Sequence, residues 1–195
     1  GNYKTNDYVI RREIRTKPGD LFNRNDIIRT QRELAQLGYF DEQSFQVNPI
    51  PNPADGTVDI EYIVKEKSSD QIELSGGYGA QRLIGTLGLT FNNFSIQNLF
   101  NKSAWQPLPA GDGQTLSLRA QTNGTFYQSY NFSFTEPWLG GKKPNAFSVW
   151  MNHSQFGNGF NRKEPDYSGV SITGVGVGLQ RRKKIPDDFF SAYYE

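Results

Sequence analysis

The 195-residue sequence contains no cysteine, one histidine and one methionine. Without thiols there can be no cysteine nucleophile, no disulfide staple and no thiolate-held zinc or iron–sulfur centre. His153 alone leaves little room for a histidine-built metal site. An excess of one charge is missing as well: 21 lysines and arginines against 20 aspartates and glutamates leave a formal charge of +1. Phosphate backbones demand concentrated positive charge, so nucleic acid is not an expected partner. Long apolar runs are also absent; the longest are a few residues, far short of the roughly 20 that a membrane-spanning helix needs. What the chain has in quantity is glycine, 20 residues, and aromatics, 14%, under a polar mean hydropathy of -0.66. That combination fits a turn-rich soluble protein or the one membrane architecture whose hydropathy looks polar, the β-barrel.

The composition changes near residue 70. Residues 1–70 hold 10 basic and 12 acidic side chains with 4 glycines, whereas residues 71–195 hold 11 and 8 with 16 glycines. Charge density falls as glycine rises, so the expected organisation is a charged module at 1–67, a linker at 68–70 and a second, aromatic and glycine-rich domain at 71–195.

The first module reads helix, helix, strand, strand. Thr5 is placed to cap a short helix carrying Ile10 and Ile14, and Lys17-Pro18-Gly19-Asp20 ends it with turn chemistry. A second helix starts near Asn23 with Ile27, Thr30, Leu34 and Leu37 on one face, and Gly38 suits its C-terminal cap. A strand around 44–48, a turn over 51–56 and an alternating strand at Val58, Ile60, Tyr62 and Val64 follow. Two strands are little to cover two helices, so the sheet is expected to be incomplete, with a first strand missing ahead of Gly1.

Beyond residue 70 strand follows strand. Apolar and small polar residues alternate around Ile72–Tyr78, Leu87–Phe91, Leu116–Ala120, Tyr130–Phe134, Phe147–Met151 and Val170–Leu179, and 189–194 starts a seventh run. The phase shift after Phe91 suggests a bulge or a strand end, and the run from Val170 to Leu179 slips phase around Gly174. Alternation alone fits a soluble sandwich with an inward apolar face as well as a barrel with an outward one. Strand lengths near those that cross a bilayer obliquely, aromatics near strand ends (Tyr78, Phe100, Trp105, Tyr127, Trp138) and glycines inside strands favour the barrel.

The order of parts then resembles a known family. A helix-helix-strand-strand module ending in Val64-Lys65-Glu66-Lys67 runs into a first strand holding Gly77-Tyr78-Gly79. With Arg11-Arg12-Glu13, Leu37-Gly38-Tyr39-Phe40 and Thr135-Glu136-Pro137-Trp138, it is similar to the last POTRA domain and barrel start of the BamA-type outer-membrane assembly factors. The resemblance implies an α+β POTRA-like module followed by part of an antiparallel transmembrane β-barrel. Only six or seven strands can be counted, fewer than the family's barrel, and its closing strand and internal arginine loop are missing. The chain is therefore expected to be a piece of something longer.

The resemblance also implies a function: assembly and insertion of β-barrel proteins into the outer membrane of a Gram-negative-type bacterium, with the POTRA part in the periplasm. Implied partners are unfolded outer-membrane proteins, periplasmic accessory lipoproteins of the assembly complex and outer-membrane lipids; no cofactor is implied. The expected client-pairing edge is the first barrel strand, Gln71, Ile72, Glu73, Leu74, Ser75, Gly76, Gly77, Tyr78, Gly79 and Ala80, its glycines keeping the strand deformable. Arg11, Arg12, Arg29, Arg32 and Glu33 are the candidate docking face of the module. A POTRA-barrel secretion or translocation pore and a soluble β-rich binding module are the alternatives. No enzyme reading emerges: His153 has no obvious carboxylate to orient it, and Gly76-Gly77-Tyr78-Gly79 lacks the strand-to-helix setting of a phosphate loop. The basic run from Arg181 to Lys184 reads as a hairpin connection that could meet lipid headgroups.

Overall fold

A computed structural model describes residues 4–79, 82–105, 107–183 and 190–195. Ala80 of the expected edge, the expected turn residues 184–188 and Phe189 of the seventh run lie outside the described residues. The chain divides into two compact units, one made of residues 1–69 and 95–113 and the other of 70–94 and 114–195. The sequence grouped 71–195 together; by packing, residues 95–113 belong with the first unit.

In the first unit α1 is a single short turn, Asp7–Arg11, and α2 spans Arg24–Gln36. The Asn23 side chain caps α2 by accepting from the Asn25 amide, and Gly38 ends it at φ 75°, a left-handed position that suits glycine. Thr5 does not cap α1 as expected; the cap residue is Asn6, and no side chain closes that end. The Glu66 carboxylate instead accepts from the backbone amides of Lys4 and Thr5 just ahead of the helix. Strand β1 is Gln46–Asn52, later than expected and running through Pro49 and Pro51, and β2 is Thr57–Ile63. They form a two-stranded antiparallel sheet in which Pro49 faces Ile60 and Pro51 faces Val58. A proline has no N–H to exchange, so these pairs occupy the ladder positions that exchange no bonds and both proline nitrogens face away from β2. The core is small: Val9, Ile10, Leu34, Tyr39 and Phe40, with Ile14, Leu37, Phe45 and Val64 packed against it.

Residues 95–113 join that unit through one buried aspartate. Asp112, 4% exposed, accepts from the Asn6 side chain at 2.8 Å, the Tyr8 hydroxyl at 2.6 Å and the Ser95 hydroxyl at 2.5 Å. The Asn6 amide donates to the Gly111 carbonyl, Arg12 to the Asp112 carbonyl and the Tyr39 hydroxyl to the Gly113 carbonyl. Both flanking glycines have positive φ, and a Cβ on Gly113 would lie 2.8 Å from the Arg12 guanidinium and 3.1 Å from Val9. Glycine is what lets the backbone come this close.

The second unit is a seven-stranded antiparallel meander in chain order: β3 Gln71–Gly79, β4 Arg82–Phe94, β5 Gln114–Thr122, β6 Tyr127–Glu136, β7 Asn145–Gly157, β8 Gly169–Arg182 and β9 Ser191–Tyr194. The expected bulge after Phe91 is present, where the β4–β5 register shifts between Phe91 and Phe94 and buried Asn93 takes φ 62°. No such shift occurs at Gly174. The β7–β8 register runs unbroken from Asn145/Arg181 to Gly157/Gly169, and what changes at Gly174 is which face carries the apolar side chains.

Removing the Asp112 carboxylate leaves the buried Ser95 hydroxyl, and the Asn6 and Tyr8 donors, without their acceptor. Asp112→Ala is expected to cost about 1–3 kcal/mol of local stability. Amide hydrogen exchange at Asn6 and along α1 should accelerate by roughly tenfold or more, measured by mass spectrometry on the full-length protein.

Candidate functional site

Register turns the strand list into two faces. On one face opposed residues form the rows Ile72–Leu89–Leu118–Phe132–Met151–Val175 and Phe91–Leu116–Phe134–Val149–Val177. On the other they form Glu73–Gly88–Arg119–Asn131–Asn152–Gly174 and Ser75–Thr86–Gln121–Ser129–Ser154–Ile172. The first face is an apolar band. The second is wet chemistry, with hydroxyl pairs Thr90–Ser117, Ser129–Ser154 and Thr135–Ser148 and an ion pair from Arg119 to Glu73 at 3.2 Å across the bare backbone of Gly88.

The apolar band also drifts along the strands. It covers Ile72 to Tyr78 on β3 and Leu83 to Phe91 on β4, then Leu116 to Ala120 and Tyr130 to Phe134, and finally Phe147 to Met151 and Val175 to Leu179. Its midpoint slides about two and a half rows, ~17 Å at ~6.8 Å per row, while five strand spacings cover ~24 Å. That slope corresponds to strands inclined by ~35°, as in a closed barrel wall. A band that stays level only when the strands are tilted is a band cut to fit a bilayer. His153 stands on this face at the upper edge of the band, its ring nitrogens at 2.7 Å from the Thr173 hydroxyl and 2.8 Å from the Gln155 amide nitrogen.

Strand β3 begins the sheet and, among the described residues, pairs on one side only, with β4. Its apolar side chains are open: Ile72 is 76%, Leu74 82% and Tyr78 75% exposed. The glycines of the wall fall into two classes. A Cβ on Gly76 or Gly79 would meet only ordinary contacts at 3.9 and 4.0 Å, and one on Gly77 would meet nothing. In β8, by contrast, a Cβ on Gly176 would fall 2.2 Å from the Trp150 ring, one on Gly174 2.3 Å from Asn152 and one on Gly178 2.3 Å from the Tyr193 hydroxyl. The β8 glycines exist so that neighbouring side chains can lie flat on the strand. Nothing of the kind requires glycine in β3.

At the far end of β3 and β4, Gly76, Gly85 and Gly124 open a shallow cavity of about 620 Å³, where the Arg82 guanidinium lies 3.2 Å from the centre of the Phe126 ring. No group of three or more potential metal-binding side chains occurs among the described residues.

The five residues expected on the module's docking face have different fates. Arg12 is buried against the Tyr8 ring and the Asp112 carbonyl. Glu33 accepts from Arg15 Nε at 2.8 Å and Nη2 at 2.6 Å, and from Arg29 at 3.4 Å. Arg11 is exposed and donates to Asp7; that hydrogen bond, reinforced by the carboxylate's charge, pushes its pKa up. Arg32 is exposed with no ion pair among the described residues. The sequence did not reveal the Asp112 cluster, although glycines on both sides of an aspartate were the visible sign of it.

A two-helix, two-strand module running directly into a tilted, two-faced antiparallel wall defines a POTRA-bearing β-barrel protein. Residues 1–67 match the POTRA family, described as surface antigen variable number repeat, and residues 110–192 match the Omp85 superfamily domain. The chain thus carries a POTRA-family module and part of an Omp85 superfamily domain. It is 27% identical over 95% of its length to the outer membrane protein assembly factor BamA of Neisseria meningitidis, of which it covers 21%. It is 37% identical over 53% of its length to BamA of Neorickettsia risticii, of which it covers 13%. The crystal structure of BamA from Haemophilus ducreyi lacking POTRA domains 1-3 superposes with a TM-score of 0.65 over 91% of this chain and 30% of that one, at 23% identity, and so shares the fold. The chain thus spans about a fifth or less of the curated relatives named here.

The glycine contrast is testable. Gly176→Val should collide with Trp150 and lower the temperature at which the barrel loses its folded mobility on unboiled gels, at a cost of roughly 1–3 kcal/mol. Gly77→Val should leave that temperature nearly unchanged.

Proposed function

We propose that this chain is the POTRA-to-barrel segment of an outer-membrane assembly factor, and that β3 is the edge on which incoming barrel strands pair. The observation that carries this reading is a one-sided first strand with three glycines that no packing contact demands. In hydrocarbon an unpaired N–H or C=O costs several kcal/mol, so a client strand gains strongly by adding there. Glycine lowers strand propensity and contributes no cross-strand contact, which keeps the pairing of this edge weak and exchangeable. The names of the relatives, each an outer membrane protein assembly factor, support the same reading. So does the two-faced wall, which gives the edge a membrane-spanning length of nine residues.

In this reading the first unit lies in the periplasm and docks accessory lipoproteins. Of the expected docking residues Arg11 and Arg32 are exposed toward such a partner, while Arg12, Arg29 and Glu33 are engaged within the module. No nucleotide or cofactor enters; the driving force is backbone pairing and burial of the client's apolar band in lipid.

The test is a pair of substitutions in the full-length protein. Gly77→Val with Gly79→Val leaves the sheet sterically intact but stiffens the edge. Assembly of client barrels into proteoliposomes should slow by about tenfold, equivalent to roughly 1.4 kcal/mol of barrier, with the protein's own fold unchanged by gel mobility. Unaltered client assembly would remove β3 from the mechanism.

A further inference from the structure

The two ends of the wall differ in charge. At one end, here the base, lie the connections after Phe94, Glu136 and Arg182; at the other lie those after Gly79, Thr122 and Gly157. The Thr122 to Tyr127 connection has no charged residue, and 158–168 balances Arg162 and Lys163 against Glu164 and Asp166. The base carries Lys102, Lys142, Lys143, Arg181, Arg182 and Lys183 against Asp70, Glu136 and the buried Asp112.

Hydrogen bonding brings the last five of these cations together. The Gly141 amide donates to the Trp138 carbonyl, the Leu139 amide to the Asn145 carbonyl and the Asn145 amide to the Lys143 carbonyl, which folds 138–145 into a tight turn. Asn145 lies directly opposite Arg181, and the Lys183 amide continues the ladder by donating to the Phe190 carbonyl. Strand alternation places Arg181 and Lys183 on the face of Val175, Val177 and Leu179, so the apolar column of β8 ends in two cations. The row next to Arg181 is Glu136–Phe147–Leu179–Tyr194, two aromatics and a leucine at the edge of the drifting band beside one carboxylate. The nearby carboxylate, Glu136, is engaged by the Gln114 side chain and the Trp138 amide. Asp187 and Asp188 of the last connection lie outside the described residues. Lys142, Lys143, Arg181 and Lys183 are exposed and make no ion pair among the described residues.

We infer that this base rim, Lys142, Lys143, Arg181 and Lys183, is a binding surface for anionic phospholipid headgroups in the leaflet it meets. A cation set one step beyond an apolar column lays its aliphatic stem along the band and raises its charge to the level of lipid phosphates. Neighbouring basic residues there each add attraction for anionic lipid. The inference rests on the barrel wall and not on the assembly activity, so each can fail without the other.

The experiment uses the full-length protein in phosphatidylcholine bilayers with trace spin-labelled phosphatidylglycerol or phosphatidylcholine, reading the relative association of the two. The native protein should prefer phosphatidylglycerol by at least about twofold, less in high salt. Lys142→Gln/Lys143→Gln/Arg181→Gln/Lys183→Gln should abolish most of that preference, and each half of the set should abolish part of it. Arg162→Gln/Lys163→Gln, at the opposite end, should retain it. Inorganic phosphate should compete no better than sodium chloride of equal ionic strength. No preference in the native protein, an unchanged preference in the fourfold variant with folded gel mobility, or selective displacement by inorganic phosphate would overturn the inference. Should the fourfold variant not fold, the two double variants decide in the same way. Client assembly measured in the same vesicles reports separately on the proposed function.

Discussion

Satisfaction of the backbone in a medium without water is the constraint on which the second unit depends. Each internal strand of the meander pairs with the strand before and the strand after it, β8 with β9 over Leu179–Arg182 alone, so wherever the registers overlap the polar backbone finds its partners within the sheet. The side chains then divide by alternation, and the slide of the apolar band along β3 to β8 records the tilt at which that sheet must stand. Among the described residues β3 and β9 are each paired on one side only, and the pairing role proposed for β3 draws on the row of donors and acceptors that hydrocarbon cannot satisfy.

The first unit solves a different problem. Its buried apolar set is only Val9, Ile10, Leu34, Tyr39, Phe40 and a few neighbours, too small to fix two helices by burial alone. Two carboxylates supply the remaining order by accepting several donors each: Glu66 from the amides ahead of α1, and Asp112 from Asn6, Tyr8 and Ser95. Charge-assisted hydrogen bonds in poorly hydrated surroundings are strong and directional. They place α1 where its short turn could not place itself.

Much of this was legible in the residues. Period-two alternation located all of the wall strands, because a face against lipid and a face against water impose opposite demands on successive side chains. Asn23 and Gly38 marked the ends of α2 for reasons of capping and left-handed backbone. The strand expected around 44–48 instead runs on through Pro49 and Pro51 to Asn52, where a turn was expected from Pro51, since proline usually ends a ladder and only an edge position lets it remain. The slip of phase around Gly174 was legible too: it records a change in which face is apolar, while the register, set by the backbone, runs on unbroken. The union of residues 95–113 with the first unit was illegible: it rests on contacts such as Asn6 to Asp112, separated by 106 residues and carrying no local periodicity. At the candidate site the glycine-rich edge could be seen in the sequence, but only the space around each glycine distinguishes those that packing requires from those it does not.

The two prolines of β1 give the first unit a side that refuses partners. With their nitrogens turned away from β2, an extended chain laid along that side would find donors missing at alternate residues where a ladder needs them. Across the sheet, β2 presents Val58, Ile60 and Tyr62 at the positions facing the prolines and Val47, with their outward N–H groups intact. The module is in this way polarised: the β1 flank lacks donors that β-addition needs, whereas the β2 flank keeps its own.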